Sequence, residues 1–248
     1  MLTDDLRDTA GIRDTIGAAV ARNLETTLSL YEKGLESLLA ENDRGLKQAR
    51  IEAATLFDDI ARWRGEYYRM ALRGEERGRY SDARHLYYRV FSNMKEAAHG
   101  LRSVLSAAEN HLANKHHIYT GTLRDNLRSM IDTLHSMRDL LEGYRSGNVQ
   151  SGAELSRQTN ERLHQAINRF QMDLLRRIDE QRLSLRGSEL YLAFLQFSRD
   201  CINRYTIIGL LQRELNDLCA QGGTIANRAS KAEKRENAVP ALPVPAGA

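Results

Sequence analysis

The chain has 248 residues, of which 42% are hydrophobic, so it is long enough to bury a substantial core. Its 36 basic and 33 acidic residues are mixed along the sequence, which argues against the concentrated basic face that binding to a nucleic-acid backbone requires. No apolar run reaches the roughly eighteen residues that span a bilayer, and the polar start MLTDDLRD is unlike a signal peptide. We therefore expect a cytoplasmic protein without a nucleic-acid partner.

Apolar residues recur at three- and four-residue steps up to about residue 220, which predicts an all-α protein. The three prolines all follow residue 239, and this agrees because a proline inside a helix costs about 3 kcal/mol. Residues 221–248 mix charge, alanine and proline and are predicted to be disordered. The six predicted helices run from Thr3 to Asn42, from Leu46 to Gly74, from Asp82 to the polar turn at 114–117, from Leu123 to Tyr144, from Ser151 to Gly187 and from Ser188 to Gly222.

The third and sixth predicted helices resemble each other when the sequence is shifted by 104 residues. A repeat of this kind indicates a duplicated unit, so residues 3–220 are predicted to form one domain with halves at 3–117 and 120–220. Short connections between long helices favour an up-and-down bundle, which makes two stacked three-helix bundles the expected architecture. The shift places Tyr87 on Tyr191, Val90 on Phe194, Lys95 on Arg199, Glu96 on Asp200 and Leu101 on Tyr205.

A polar cluster separates the third predicted helix from the fourth. It contains Asn114, His116 and His117, and His111 lies just before it. Imidazole nitrogens that face one another across a turn can bind a transition metal, whereas many histidines on turns are only solvated. No carboxylate lies within the turn to complete a ligand set, so the solvated alternative is preferred here.

Three aspartates recur every seven residues on the fourth predicted helix, at Asp125, Asp132 and Asp139. Carboxylates along one face are ligands for hard divalent cations, so this row is the candidate metal site of the chain. The alternative is a solvated face whose charge is neutralised by nearby arginines. The arginines close to the row in the sequence are Arg124, Arg128 and Arg138.

Nothing in the sequence matches a catalytic motif such as a phosphate-binding glycine loop, HExxH or GxSxG. The two cysteines, Cys201 and Cys219, fall inside predicted helices and are too far apart for a CxxC motif, so buried reduced thiols are expected. We therefore predict a protein that is not an enzyme and has no cofactor apart from the candidate divalent cation.

The central segment LYYRVFSNMKEAAHGLRSVLSAAENHLANKHH resembles the C-terminal cytoplasmic domain of bacterial PiT-family inorganic phosphate transporters, which is similar to PhoU. A second stretch, near the start of the last helix, also looks like the family. The residues that carry the resemblance are Tyr87, Tyr88, Lys95, Glu96, His99, His111, Asn114 and His116, followed later by Glu189, Leu190 and Tyr191.

The resemblance implies two three-helix bundles related by pseudo-twofold symmetry and a role in controlling phosphate uptake at the inner face of the plasma membrane. The partner would be the membrane domain of a phosphate transporter, and a homodimer is a further expectation. The interaction residues would be Lys95, Glu96, His99, His111, Asn114 and His116.

Two features depart from the family. PhoU proteins often bind metal through acids spaced four apart on helices of each half, and here such pairs, Asp4 with Asp8 and Glu32 with Glu36, both lie on the first helix. The membrane part of a transporter is also missing from the sequence. The alternative function is a helical scaffold or dimerisation protein unrelated to phosphate.

Overall fold

The computed structural model describes residues 9–73, 80–116, 119–139, 149–180 and 185–236, and within these ranges the chain is helical apart from short turns. The prediction of an all-α protein is confirmed. The helices are α1 (Thr9–Leu39), α2 (Asp43–Arg73), α3 (Tyr80–Ala113), α4 (Thr122–His135), α5 (Val149–Asp179) and α6 (Leu185–Glu236).

The ends of two helices differ from the prediction. Regular helix in α4 stops at His135, because the chain makes a turn at Ser136; residues 137–139 are helical again, and the predicted remainder up to Tyr144 lies outside the described residues. The boundary predicted at Gly187 is wrong, because α5 ends at Asp179 and Gly187 lies in the first turn of α6. A single glycine costs a helix only about 1 kcal/mol relative to alanine, so it is a weak stop signal.

The last helix is longer than predicted. It continues through Gly222 and Gly223 to Glu236, so the end predicted at these glycines is wrong. The segment that follows the glycines is rich in alanine, lysine, arginine and glutamate, which favour helix and offset the cost of two glycines. Disorder stays a prediction for residues 237–248, which lie outside the described part of the chain.

One continuous hydrophobic core joins all the helices, from Ile16 on α1 to Leu215 on α6. α3 packs most extensively on α6, and α1 packs on both α4 and α6. α2 lies against α1 and α3, while α5 lies against α4 and α6. Cys201 is buried in this core as a free thiol, and burial raises its pKa to about 12, so the expected reduced thiol is confirmed at this position. The side chain of Cys219 lies outside the described residues.

The alternation of buried and exposed positions along α3 recurs along α6 at the predicted shift. Lys95 and Arg199 are half-buried, and Glu96 and Asp200 are exposed. Corresponding positions therefore face the same kind of surroundings in the two helices. The buried pairs include Tyr87 with Tyr191, Val90 with Phe194, and Leu101 with Tyr205.

A ladder of opposite charges joins α1 to α4. Arg138 donates two hydrogen bonds to the carboxylate of Glu25, at 2.6 and 2.7 Å. Two of the arginines expected to neutralise the aspartates of α4, Arg128 and Arg138, pair with glutamates of α1 instead, because these glutamates lie within reach across the helix interface. The second rung is Arg128 with Glu36 at 3.4 Å, and His135 Nε2 lies 3.4 Å from a carboxylate oxygen of Glu32 beside the ladder.

We expect the Glu25–Arg138 pair to stabilise the fold at neutral pH and to stop doing so in acid. The hydrogen bond from Arg138 lowers the pKa of Glu25 below its ordinary value of 4.5, so the contribution is present above that pH and is lost as the pH falls through the lower folded value. Both side chains are about half exposed, so the loss is below about 1 kcal/mol. The difference in free energy of unfolding between the unmodified chain and Glu25→Gln, followed across this pH range, measures the contribution of the pair.

A double-mutant cycle is the control for this pair. Glu25→Gln, Arg138→Gln and the double variant should lose similar free energy of unfolding at neutral pH, because each removes the same interaction. Additive losses would show that the two residues act independently and would contradict the assignment.

Candidate functional site

The turn after α3 is closed by its own backbone. The amide of His116 donates to the carbonyl of His111 at 3.2 Å, and the amide of Lys115 donates to the carbonyl of Leu112 at 2.9 Å. Lys115 has a φ of 54°, the left-handed conformation that commonly ends a helix. Asn114 is exposed, and its side-chain amide donates to the carbonyl of Asn110 at 2.7 Å. Residues 114–116 of the predicted polar cluster therefore form a turn, and His117 lies outside the described residues.

Tyr119 fastens the segment after this turn to the start of α6. Its hydroxyl donates to the carbonyl of Gly187 at 2.8 Å, and the ring is almost completely buried. The ring lies nearly parallel to that of His111, with centroids 6.3 Å apart, and edge-on to Tyr191 at 5.6 Å. Burial raises the pKa of Tyr119 far above its usual range, so the hydroxyl stays a hydrogen-bond donor.

An open cleft of about 660 Å³ lies between the C-terminal end of α3 and the N-terminal end of α6. The ring centroids of His111 and His116 are 5.0 Å apart beside it, the first histidine buried and the second half-buried. Arg186 and Glu189, both exposed, pair at 3.2 Å in the first turns of α6. The residues that line the cleft are Ala107, Asn110, His111, Asn114, His116, Arg186, Glu189, Leu190 and Ala193.

The chemistry of the cleft suits binding. Amides, imidazoles and one ion pair supply hydrogen-bond donors and acceptors, while Leu190 and two alanines supply an apolar wall. The volume falls within the roughly 300–1,000 Å³ typical of pockets that hold a ligand or an inserted side-chain cluster.

The structure divides the predicted interaction residues into two groups. His111, Asn114 and His116 meet at the cleft, together with Glu189 and Leu190 from the second stretch that carries the family resemblance. The remaining three lie further toward the N-terminus of α3. There Lys95 and His99 approach the ring of Phe57 on α2, and Glu96 is exposed.

The three aspartates proposed to bind a cation are all exposed on or just beyond α4. Residues seven apart on a helix are separated by about 10 Å, so a cation at one of these aspartates would need its other ligands from elsewhere in the protein. Among the side chains that the structure describes, no three histidines, cysteines or acids converge as a metal site would require. A cation at Asp125, Asp132 or Asp139 stays a prediction.

The acids spaced four apart have a structural role where the structure describes them. Glu36 lies in the charge ladder between α1 and α4, opposite Arg128, and Glu32 lies beside the ladder, opposite His135. Asp4 and Asp8 lie outside the described residues.

Sequence reasoning did not single out several residues that build the cleft. Asn110 lies one helical turn before Asn114, and Arg186 lies three residues before Glu189, so each had a spacing signal of its own. Tyr119 gave only the signal of an aromatic residue after a polar turn. Its bond to Gly187 joins residues 68 apart, which local patterns do not reveal.

Comparison of the chain with models of known protein families, with curated proteins and with solved structures finds no match. Within the described helices, none combines the length and the hydropathy needed to cross a bilayer.

Proposed function

We propose that this chain is a non-catalytic regulatory module of inorganic phosphate transport that acts at the cytoplasmic face of the membrane. The observation that carries the proposal is the cleft. Two stretches about 75 residues apart each resemble the PhoU-like domain of PiT-family transporters, and residues from both line the same cleft. The two stretches meet because α3 and α6 pack on each other, and the polar side chains that both contribute to the cleft support the proposal.

The proposal includes a pseudo-twofold architecture. The first half is α1–α3 and the second is α4–α6; α3 and α6 form the largest contact between them, and α1 also packs on α4 and α6. Two observations support this division: the outer helices α2 and α5 each pack on two helices of their own half, and the burial pattern of α3 recurs in α6.

The partner is the membrane domain of a phosphate transporter, which docks a loop or helix end in the cleft. Asn114 is exposed and His116 is half-buried, so both can reach a docked segment. The pair of Arg186 and Glu189 offers both a charged donor and a charged acceptor to the same segment. No bond is made or broken, and the module acts by contact.

The variant Asn114→Ala/His116→Ala tests this role. We expect it to fold normally, because neither side chain is in the core, and to bind the transporter about tenfold more weakly, as loss of one or two interface contacts does. Uptake of labelled phosphate in cells that express the variant should then shift toward the uptake of cells that lack the chain.

A matched control replaces the same residue types away from the cleft. His164→Ala/Asn203→Ala removes one half-buried histidine and one exposed asparagine on α5 and α6. Uptake with this control should equal that of the unmodified chain. Unmodified uptake with the Asn114/His116 variant as well would count against the proposed contact.

A specific feature favours the second candidate, a scaffold that forms homodimers. Met172 and Leu175 on α5 are 61% and 43% exposed, and Leu192 on α6 is 40% exposed. Arg199 donates a hydrogen bond to Gln171 at 2.9 Å, so two turns along each antiparallel helix Leu192 comes beside Ile178, which is 37% exposed and one turn from Leu175. Sedimentation equilibrium tests this candidate, since a scaffold needs self-association through this patch and a monomeric chain would count against it.

A further inference from the structure

Cations lie over aromatic rings along the seam between α2 and α3. Lys95 Nζ is 5.0 Å and Arg102 Cζ is 4.8 Å from the centroid of the Phe57 ring. Arg64 Cζ is 6.0 Å from the centroid of the Tyr88 ring. We call Arg64, Lys95 and Arg102 the cation row.

The cations and aromatic rings of the seam repeat every seven residues along each of the two helices. Tyr88, Lys95 and Arg102 follow one another at this spacing on α3, and Phe57 and Arg64 do so on α2. Seven residues are close to two helical turns, so each set stays on one side of its helix. The row therefore extends for about 20 Å along the seam.

Two other arginines of α2, unlike the members of the cation row in the part of the chain that the structure describes, form ion pairs with acids. Arg50 pairs with Glu109, and Arg62 pairs with Asp59 at 3.2 Å. Among the ion pairs of the described residues, none includes a member of the cation row.

A histidine and two exposed acids lie beside the cation row. His99 is exposed between Lys95 and Arg102, and its ring centroid lies 5.8 Å from that of Phe57. The exposed acids Asp58 and Glu96 are each one residue from a member of the seam, which turns them about 100° around their helices. These two acids therefore face neighbouring surfaces, and Glu109, which lies seven residues after Arg102 on the same side of α3, is paired with Arg50.

Cation–π contacts hold the charged groups of the row close to the rings of Phe57 and Tyr88. The ring of Phe57 attracts both Lys95 and Arg102 through its negative face, which holds their stems against the protein and offsets their mutual repulsion. A surface of fixed positive charges on an extended seam matches an extended array of phosphates better than it matches a single small anion. The cytoplasmic leaflet of a membrane is such an array, and it attracts Lys and Arg side chains near its surface. The three members of the row are half-buried, as long basic side chains are when their stems pack on the protein and their charged ends reach the solvent.

We propose that the cation row binds anionic phospholipid headgroups and sets which face of the module lies on the membrane. This rests on the proposed function only for the location at the inner face. Lys95, which the family resemblance selected and which does not reach the cleft, acquires a role in this way. Membrane binding by the row needs no transporter, so the two proposals fail in different experiments.

The test is co-sedimentation of the full chain with vesicles at low salt. We expect binding to vesicles of phosphatidylcholine mixed with phosphatidylglycerol and none to vesicles of phosphatidylcholine alone. Lys95→Gln/Arg102→Gln should bind about thirtyfold more weakly, which corresponds to about 1 kcal/mol for each basic residue. The glutamines keep much of the packing length of the residues that they replace.

The control Arg162→Gln/Arg169→Gln removes the same charge from exposed positions on α5 and should change binding by less than about twofold, since it leaves the row intact. Equal losses in the two variants would overturn the proposal, because they would reflect net charge alone. Absence of binding to the anionic vesicles would overturn it as well. Displacement from the vesicles by free inorganic phosphate would instead indicate a site for the small anion.

Discussion

Replacement of Tyr31 by alanine is expected to lower the free energy of unfolding by about 3–5 kcal/mol, the range for deleting a large buried aromatic side chain. Tyr31 is 1% exposed. Its ring stacks on Phe197 with centroids 5.2 Å apart and meets Phe194 edge-on at 5.9 Å. Because the ring lies between α1 and α6, its loss leaves a cavity at their interface. Chemical denaturation followed by circular dichroism measures the effect.

The control for this variant is Tyr31→Phe, which keeps the ring and removes the hydroxyl. The hydroxyl lies 3.2 Å from Ser198 Oγ and donates to Met130 Sδ at 3.1 Å. Ser198 keeps its bond to the carbonyl of Phe194, so the loss should be only about 1 kcal/mol. If alanine costs no more than phenylalanine, the ring does not stabilise the core as we infer.

Gly34→Val should cost about 3 kcal/mol, at the upper end for overpacking of a core. A Cβ atom at Gly34 would overlap Leu105 Cδ2, because α1 approaches α3 closely at this point. Leu105 is fully buried, so it has little room to turn away. The same denaturation measurement applies.

Two further variants make this test specific. Gly17→Val changes the same helix where an added Cβ meets open space, so it should leave stability unchanged or slightly raised. Combination of Gly34→Val with Leu105→Ala should cost at least about 1 kcal/mol less than the sum of the single changes, because alanine makes room for valine. Strict additivity would mean that the two residues do not meet.

The candidate site could be predicted from the sequence only in part. His111, Asn114 and His116 were selected because a polar cluster interrupted a periodic apolar pattern, and they lie together at the cleft. Lys95 and His99 were assigned to the same site, although they face α2. Their position a few turns earlier on one helix does not reveal which neighbour each face meets, since that depends on how α2 and α6 pack around α3.

The sequence by itself determined the all-α class and much of the core, because apolar residues at helical spacing must share one face and that face must leave water. Leu35, Met94 and Leu101 are fully buried for this reason. Only the tertiary structure decided that α1 is joined to α4 by a charge ladder, that Tyr119 reaches Gly187, and that α6 passes through its glycines. These features depend on contacts between distant residues or on small differences in free energy, and neither is expressed in local periodicity.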